Sequence, residues 1–225
     1  MIQITQTTVT VPPEGVEALQ TEFAETGCAM MPGFLTPGVL SPLMKQLEKA
    51  RFETRNEVFL GNGNIFGTTS YMPQTEPAVK SLNFFLNRST LYGLAAQIAG
   101  TPVLRNFLCR LHRTAFGTGQ HIDWHDDAVD YRTLGLNINL SDSAYTGGEF
   151  QLRSPDGKIE VAVSRWSPGD AFLFRIGYGW QHRLTPVESG QRTVGVGWFR
   201  TEPDWQLLTG ASLRTRMVME TGGIG

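Results

Sequence analysis

Ser167-Pro168-Gly169-Asp170-Ala171-Phe172-Leu173-Phe174 is a turn that opens straight into an apolar run. Pro and Gly punctuate the chain, and the run behind them is short and aromatic, which suits a buried strand better than a helix. The same unit recurs on both sides. Val103 to His112, Gln120 to Trp124, Thr133 to Leu140, Glu149 to Arg153, Lys158 to Val163, Asp170 to Phe174, Gln181 to Val187 and Arg192 to Arg200 are candidate strands. Turns such as Ser154-Pro155-Asp156-Gly157 separate several of them. Eight short strands with frequent turns predict a jelly roll, in which a double sheet closes on itself.

Upstream, the period changes from two to about three and a half. Val16, Leu19 and Phe23 share one helical face, and Gly27 can stop that helix. Thr36-Pro37 places a cap residue before a proline at the first helical position, ahead of the stripe Leu40, Leu43, Met44 and Leu47. Further helices are expected over about 76–86 and after Ser89, the latter ending at Gly100; the stretch Gly27 to Leu35 reads as a strand and turn. The expected fold class is therefore mainly β with N-terminal helices (α+β), on a double-stranded β-helix core. The 225 residues read as a single domain: 1–101 a mainly helical support, 102–200 the core and 201–225 a C-terminal tail. Within the support, 53–74 carries Gly61, Gly63, Gly67, Phe59, Phe66 and Tyr71. It reads as a long loop or irregular hairpin, of the kind that forms lids and binding loops.

The chemistry is concentrated in His125-Asp126-Asp127, followed by His182 and then Arg192. Two imidazoles and a carboxylate can occupy one face of an octahedral metal and leave the opposite positions open, the ligand pattern of non-haem Fe(II) oxygenases. Arg192 sits in an apolar strand, where an always-charged guanidinium needs a buried anion, and its fork suits a carboxylate. A rival register exists, because His121-Ile122-Asp123 is also an H-x-D and strand alternation puts residues 121, 123, 125 and 127 on one face. The strand end before Ala128-Val129-Asp130-Tyr131 favours His125 and Asp127 as ligands.

Gly119-Gln120-His121-Ile122-Asp123-Trp124-His125-Asp126-Asp127 resembles the G-x5-H-x-D segment of the Fe(II)- and 2-oxoglutarate-dependent dioxygenases, in particular the prolyl 4-hydroxylase-like branch. Gly147-Gly148-Glu149-Phe150 is similar to the turn that follows in that family, and the 167–174 stretch to its PGDAxLF strand entry. His182 to Arg192 resembles the H-x-x-x-P-V-x-x-G-x-R segment, and Trp198 falls where the family often has Trp. The resemblance implies a double-stranded β-helix and a metal held by His125, Asp127 and His182. It also implies that Arg192 holds the distal carboxylate of 2-oxoglutarate. The implied cofactors are Fe(II) and 2-oxoglutarate, with ascorbate as an optional addition. The implied partners are dioxygen and a peptide, amino acid or small-molecule substrate, hydroxylated at a C–H bond with release of succinate and CO2. The family's tyrosines would fall at Asn139 and near Ala115 or Phe116, so the chain departs from the pattern there. Asn139 and Asn137, on the polar face of the Thr133–Leu140 strand, become candidate cosubstrate donors. Gly195 and Gly197 leave room for a cofactor beside the Arg192 strand. Trp124, Tyr178, Trp180 and Arg183 flank the ligands.

Composition narrows the rest. The formal net charge is −2 and basic residues are scattered, which predicts no nucleic-acid surface. No stretch reaches the ~20 apolar residues of a membrane span. Met1 to Val11 has neither a basic start nor an apolar core, so no secretory signal is expected and the expected location is cytoplasmic. Cys28 and Cys109 are expected as buried thiols. Two other readings remain: a non-redox, hydrolase-like metal enzyme on a cupin-like jelly roll, and a catalytically silent binding domain.

Overall fold

The helical stripes fold as expected: α1 (Pro13–Thr26), α2 (Pro37–Glu48), α3 (Pro77–Leu86) and α4 (Ser89–Ala99). Gly27 and Gly100 end α1 and α4 in the left-handed conformation at φ 72° and 62°, where a Cβ would be strained. Thr36 precedes α2 but does not cap it; its hydroxyl donates to the Ile4 carbonyl instead. Two short strands, β1 (Gln3–Ile4) and β2 (Val9–Thr10), precede these helices, and β3 (Cys28–Met31) lies between the first two. The computed structural model describes residues 2–58, 63–129, 131–164 and 166–202; the tail beyond Glu202 lies outside them.

Within the 53–74 stretch, β4 (Glu53–Val58) and β5 (Ile65–Tyr71) pair antiparallel, with a register shift between Glu57 and Val58; residues 59–62 lie outside the described ones. All eight expected strands of the core form. They are β6 (Asn106–Ala115), β7 (His121–His125), β8 (Arg132–Asn139), β10 (Phe150–Arg153), β11 (Ile159–Val163), β12 (Ala171–Arg175), β13 (Gln181–Leu184) and β15 (Gln191–Arg200). Two short strands, β9 (Thr146–Gly147) and β14 (Val187–Ser189), pair with each other. One side of the fold runs β6-β15-β8-β12-β3 and the other β7-β13-β10-β11, with β5 pairing to both β6 and β7. From β6 to β15 the long strands alternate between the two sides, except for the adjacent pair β10 and β11, and this alternation makes a jelly roll.

Strand alternation separates two cores. Leu134, Leu136, Ile138, Phe107, Cys109, Leu111 and Phe199 face the helices and join the larger core with Phe23, Leu43, Leu82 and Leu91. The opposite faces meet inside the roll, where Phe150, Leu152, Val163, Phe172, Phe174 and Trp198 pack together from both sides. Gly195 and Gly197 lie on the helix side. A Cβ at Gly195 would come within 2.8 Å of Leu82, and one at Gly197 within 2.4 Å of the Phe107 ring. The space beside them is therefore filled by core side chains, which corrects the expectation of a cofactor there. Both cysteines are free and buried, and burial pushes both thiols up. Among the described residues, no helix is long and apolar enough to cross a membrane.

Candidate metal centre

His125 ends β7 and pairs directly with His182 on β13, so two adjacent strands bring their imidazoles together. Their ring centroids are 4.2 Å apart. Asp127, two residues past the end of β7, turns back between them, with Oδ1 3.8 Å from His125 Nε2 and Oδ2 3.3 Å from His182 Nε2. Within this triad, one potential ligand atom from each residue lies within 4.8 Å of the others. The rival pair lies elsewhere. His121 Nε2 is 3.7 Å from Asp123 Oδ1, but both side chains are exposed. Strict alternation would have placed all four on one face. The register shift between His182 and Leu184 breaks it, opposing Leu184 to Ile122 and His182 to His125.

Each of the three side chains is held in place by its neighbours. His125 Nδ1 lies 2.8 Å from the Asp123 carbonyl oxygen, which assigns the proton to Nδ1 and frees Nε2. Phe66, from β5, stacks on the His125 ring at 4.5 Å. Phe150 stacks on His182 and Phe174 meets it edge-on. Trp198 Nε1 donates to Asp127 Oδ2 at 2.6 Å, and the Arg132 guanidinium lies 3.8 Å from Oδ1. Burial alone would push Asp127 up, but the His182 hydrogen bond and the His125 and Arg132 charges hold it well below the usual carboxylate range. His125 is pulled down to about 4 by burial, aided by the charge of His182 and opposed by Asp127. The centre is thus a carboxylate and an unprotonated imidazole at neutral pH, with His182 beside them, a donor set that fits a divalent metal. His182 Nδ1 is buried without a hydrogen-bond partner among the described residues.

Trp198→Phe is expected to weaken metal binding by roughly 10–100-fold, the usual cost of losing a group that orients a ligand. A metal titration of variant and wild type measures it; equal affinities would mean that Trp198 does not tune Asp127.

Arg192 enters the same interior from β15, opposite Thr114 on β6. Both are buried, and Arg192 Nε and Thr114 Oγ1 lack partners among the described residues. Burial lowers the Arg192 pKa, opposed by a hydrogen bond to the Tyr145 hydroxyl. Gly148 stands against it: at φ 59°, a Cβ there would meet the Arg192 side chain at 3.0 Å. Gly148 therefore leaves room for the arginine, and Gly147 for Pro186 and Glu188. Unpartnered buried donors around one guanidinium fit an incoming carboxylate.

The amides divide. Asn137 and Asn139 are both buried on the inner face of β8, opposite Val196 and Val194. Asn139 donates to the Trp166 carbonyl at 2.7 Å and accepts from the Ser141 amide at 3.0 Å. Trp166 Nε1 in turn donates to the Tyr145 hydroxyl at 3.0 Å. Asn139 therefore braces the loop that carries Tyr145, with one of its two amide hydrogens committed to Trp166. Asn137 has no such commitment among the described residues. Tyr145 and Thr114 are the residues that motif reading missed. Thr114 shares the inner parity of His112, a usable signal, whereas Tyr145 lies in a turn where no periodicity applies.

The flanking aromatics point elsewhere. Trp124 lies under Arg153 and Arg183, at 4.2 Å and 4.7 Å from its ring centre. Trp180 packs on Gly27, and Tyr178 is exposed.

His112, also inside the roll, is pulled down to about 4 by burial, with Glu57 opposing and the nearby arginines assisting. Both His112 and His125 thus hold protons less readily folded than unfolded, where the pKa is about 6.5. As pH falls below about 6.5, the unfolded chain takes up protons that the fold refuses, and stability is lost until about 4. The metal-free protein is expected to lose on the order of 1–2 kcal/mol per histidine between pH 7 and pH 5, read from denaturant midpoints. A flat profile over that range would mean that these rings are solvated.

Residues 109–200 match the 2OG-Fe(II) oxygenase superfamily. A PKHD-type hydroxylase of Maricaulis maris (strain MCS10) is 33% identical over 106 residues, covering 46% of this chain and 45% of that protein. The match thus spans less than half of the curated relative. The fold is similar to that of a 2OG-Fe(II) oxygenase family oxidoreductase from Burkholderia pseudomallei, with TM-score 0.62, 16% identity, and 86% of this chain and 94% of that one covered. It is also similar to a prolyl-4-hydroxylase from Pseudomonas putida, with TM-score 0.59, 18% identity, and coverage of 84% and 100%.

Proposed function

We propose, on the premise that residues 109–200 belong to the 2OG-Fe(II) oxygenase superfamily, that this chain is a 2-oxoglutarate-dependent dioxygenase that hydroxylates a C–H bond of a peptide, amino acid or small molecule. The observation that carries the reading is the shared interior of the triad and Arg192. The roll offers two imidazoles and a carboxylate, and the inner face of β15 carries a buried guanidinium with an unpartnered Nε among the described residues. A hydrolytic zinc site would use the triad but leaves Arg192 and Thr114 without a purpose.

His125, Asp127 and His182 would hold Fe(II), and Arg192 with Tyr145 and Thr114 would hold the distal carboxylate of 2-oxoglutarate. Iron and cosubstrate together supply the oxidising power, with succinate and CO2 as coproducts. The protein's part is placement and exclusion of water. Trp198 and Arg132 keep Asp127 ionised and aimed, and the His125 tautomer is set by the Asp123 carbonyl. Phe66 from β5 stacks on His125, which supports a part for the β4–β5 pair at the mouth and in substrate choice.

Succinate release from 2-oxoglutarate by the Fe(II)-loaded protein tests the reading, with a slow uncoupled turnover expected in the absence of substrate. Loaded protein that neither binds nor consumes 2-oxoglutarate would rule it out.

A further inference from the structure

Besides Arg192, the interior face of the roll holds a second cation, half-buried. On β6, Leu108, Arg110, His112 and Thr114 share the inner face, and Arg110 lies opposite Val196. Arg110 and Thr114 are four residues apart, which is about 13 Å along a strand at ~3.3 Å per residue. The Arg192 clamp beside Thr114 and the Arg110 guanidinium therefore serve different ligand groups. Arg110 Cζ lies 5.1 Å from the Trp198 ring centre, and that same ring donates to Asp127. Arg110 is close enough to Asp127, Glu57, Arg55 and Arg132 for each to act on its charge, and burial with the two arginines pulls its pKa down to about 10. Among the described residues, no carboxylate lies within ion-pairing distance of it.

Counting the neighbouring charges shows what is missing. Arg55 spans Glu57 with two hydrogen bonds, of 3.0 Å and 3.2 Å, so that pair cancels. Under the proposed function, a divalent metal, the Asp127 carboxylate, the 2-oxoglutarate dianion and the Arg192 cation also sum to zero. Arg132, 3.8 Å from Asp127 Oδ1 and 4.2 Å from the same indole centre, adds a further cation, so two are left over; of these Arg110, half-buried on the inner face, is the one with no carboxylate within ion-pairing distance among the described residues. A charge in that setting is costly unless an anion meets it.

We infer that the substrate carries a carboxylate, or another single anionic group, which Arg110 binds at the mouth between Trp198 and the β4–β5 pair. The inference rests on the dioxygenase reading for the charge count, and on geometry alone for the site. Arginine rather than lysine suits it, because the planar fork can bind a carboxylate through two parallel bonds while its face lies on an indole. The inference narrows the open substrate range to acids: free amino acids, peptides presenting an acidic group, or carboxylated small molecules.

Benzoate and benzamide are the probes, matched in shape and differing in charge. Both are titrated by saturation-transfer NMR into Zn(II)-loaded protein at fixed ionic strength, with 2-oxoglutarate saturating the Arg192 end. Benzoate is expected to bind about tenfold or more tightly than benzamide, the scale of one charge-assisted contact. Arg110→Met should erase the preference while leaving 2-oxoglutarate affinity unchanged, and Arg110→Lys should retain part of it. On wild-type protein, independent of how any variant folds, the Arg110 Nε–Hε resonance should move with benzoate and stay with benzamide. Equal binding of the two probes overturns the inference. So does a benzoate preference that survives in Arg110→Met, an Arg110 resonance indifferent to benzoate, or benzoate that binds only by displacing 2-oxoglutarate. If wild type fails to bind 2-oxoglutarate at all, the dioxygenase reading falls, and the probe preference at Arg110 is then read in the metal-loaded protein alone.

Discussion

Arg192→Ala is expected to reduce 2-oxoglutarate affinity by about 3–5 kcal/mol, the usual cost of removing one partner from a buried charge pair. Metal affinity should stay close to wild type. Arg192 sits in β15, separated from β7 by β5 and β6, and makes no contact with the three candidate ligands among the described residues. Its surroundings supply the magnitude: it is buried, its Nε is unpartnered, and Gly148 keeps the space beside it open. Tyr145→Phe removes the hydroxyl that faces the guanidinium and should weaken binding less, by about 0.5–1.5 kcal/mol, as for one neutral hydrogen bond. Asn139→Ala should act through the Trp166–Tyr145 brace and show mainly as lost thermal stability. Anaerobic titration of 2-oxoglutarate into the metal-loaded variants gives the ranking. Wild-type affinity in Arg192→Ala would place the carboxylate anchor elsewhere.

His182→Ala is expected to abolish metal binding, and His121→Ala to leave it intact. The first removes one of three protein ligands, a larger loss than the roughly 10–100-fold of a supporting contact. The second removes an exposed ring paired only with an exposed Asp123 and the Gly119 carbonyl. His182 also packs on Phe150 and Phe174, so a melting curve should accompany the titration to separate lost ligation from lost packing. Loss of metal in His121→Ala with retention in His182→Ala would reverse the register and move the centre to the outer face of β7.

Several features were legible in the chain itself. The eight strands could be read because short apolar runs between Pro- and Gly-bearing turns have few alternatives, and α1, α2 and α4 because their stripes meet recognisable ends. The triad and Arg192 were legible because each is chemically conspicuous: a histidine beside a carboxylate, or an arginine in an apolar strand. The 53–74 stretch was ambiguous because its glycines resemble those of a loop. Pairing of β5 with β6 and β7, not local propensity, makes it a strand, and Gly67 is needed because a Cβ would come within 2.5 Å of the His121 carbonyl.

By itself, then, the sequence determined the eight strands of the core, the helical support and the residue types of the centre, since these depend on local periodicity and on side-chain chemistry. Only the tertiary structure decided which H-x-D turns inward, because a register shift against β13 cancels the alternation that made the two indistinguishable. Likewise, only the fold could show that the space at Gly195 and Gly197 is filled by Leu82 and Phe107, that Tyr145 lies against Arg192 while Asn139 is tied to Trp166, and that Arg110 lies on the inner face beside Trp198. Each of these is a relation between residues distant in sequence, set by which strands lie side by side, and a linear pattern carries no term for it.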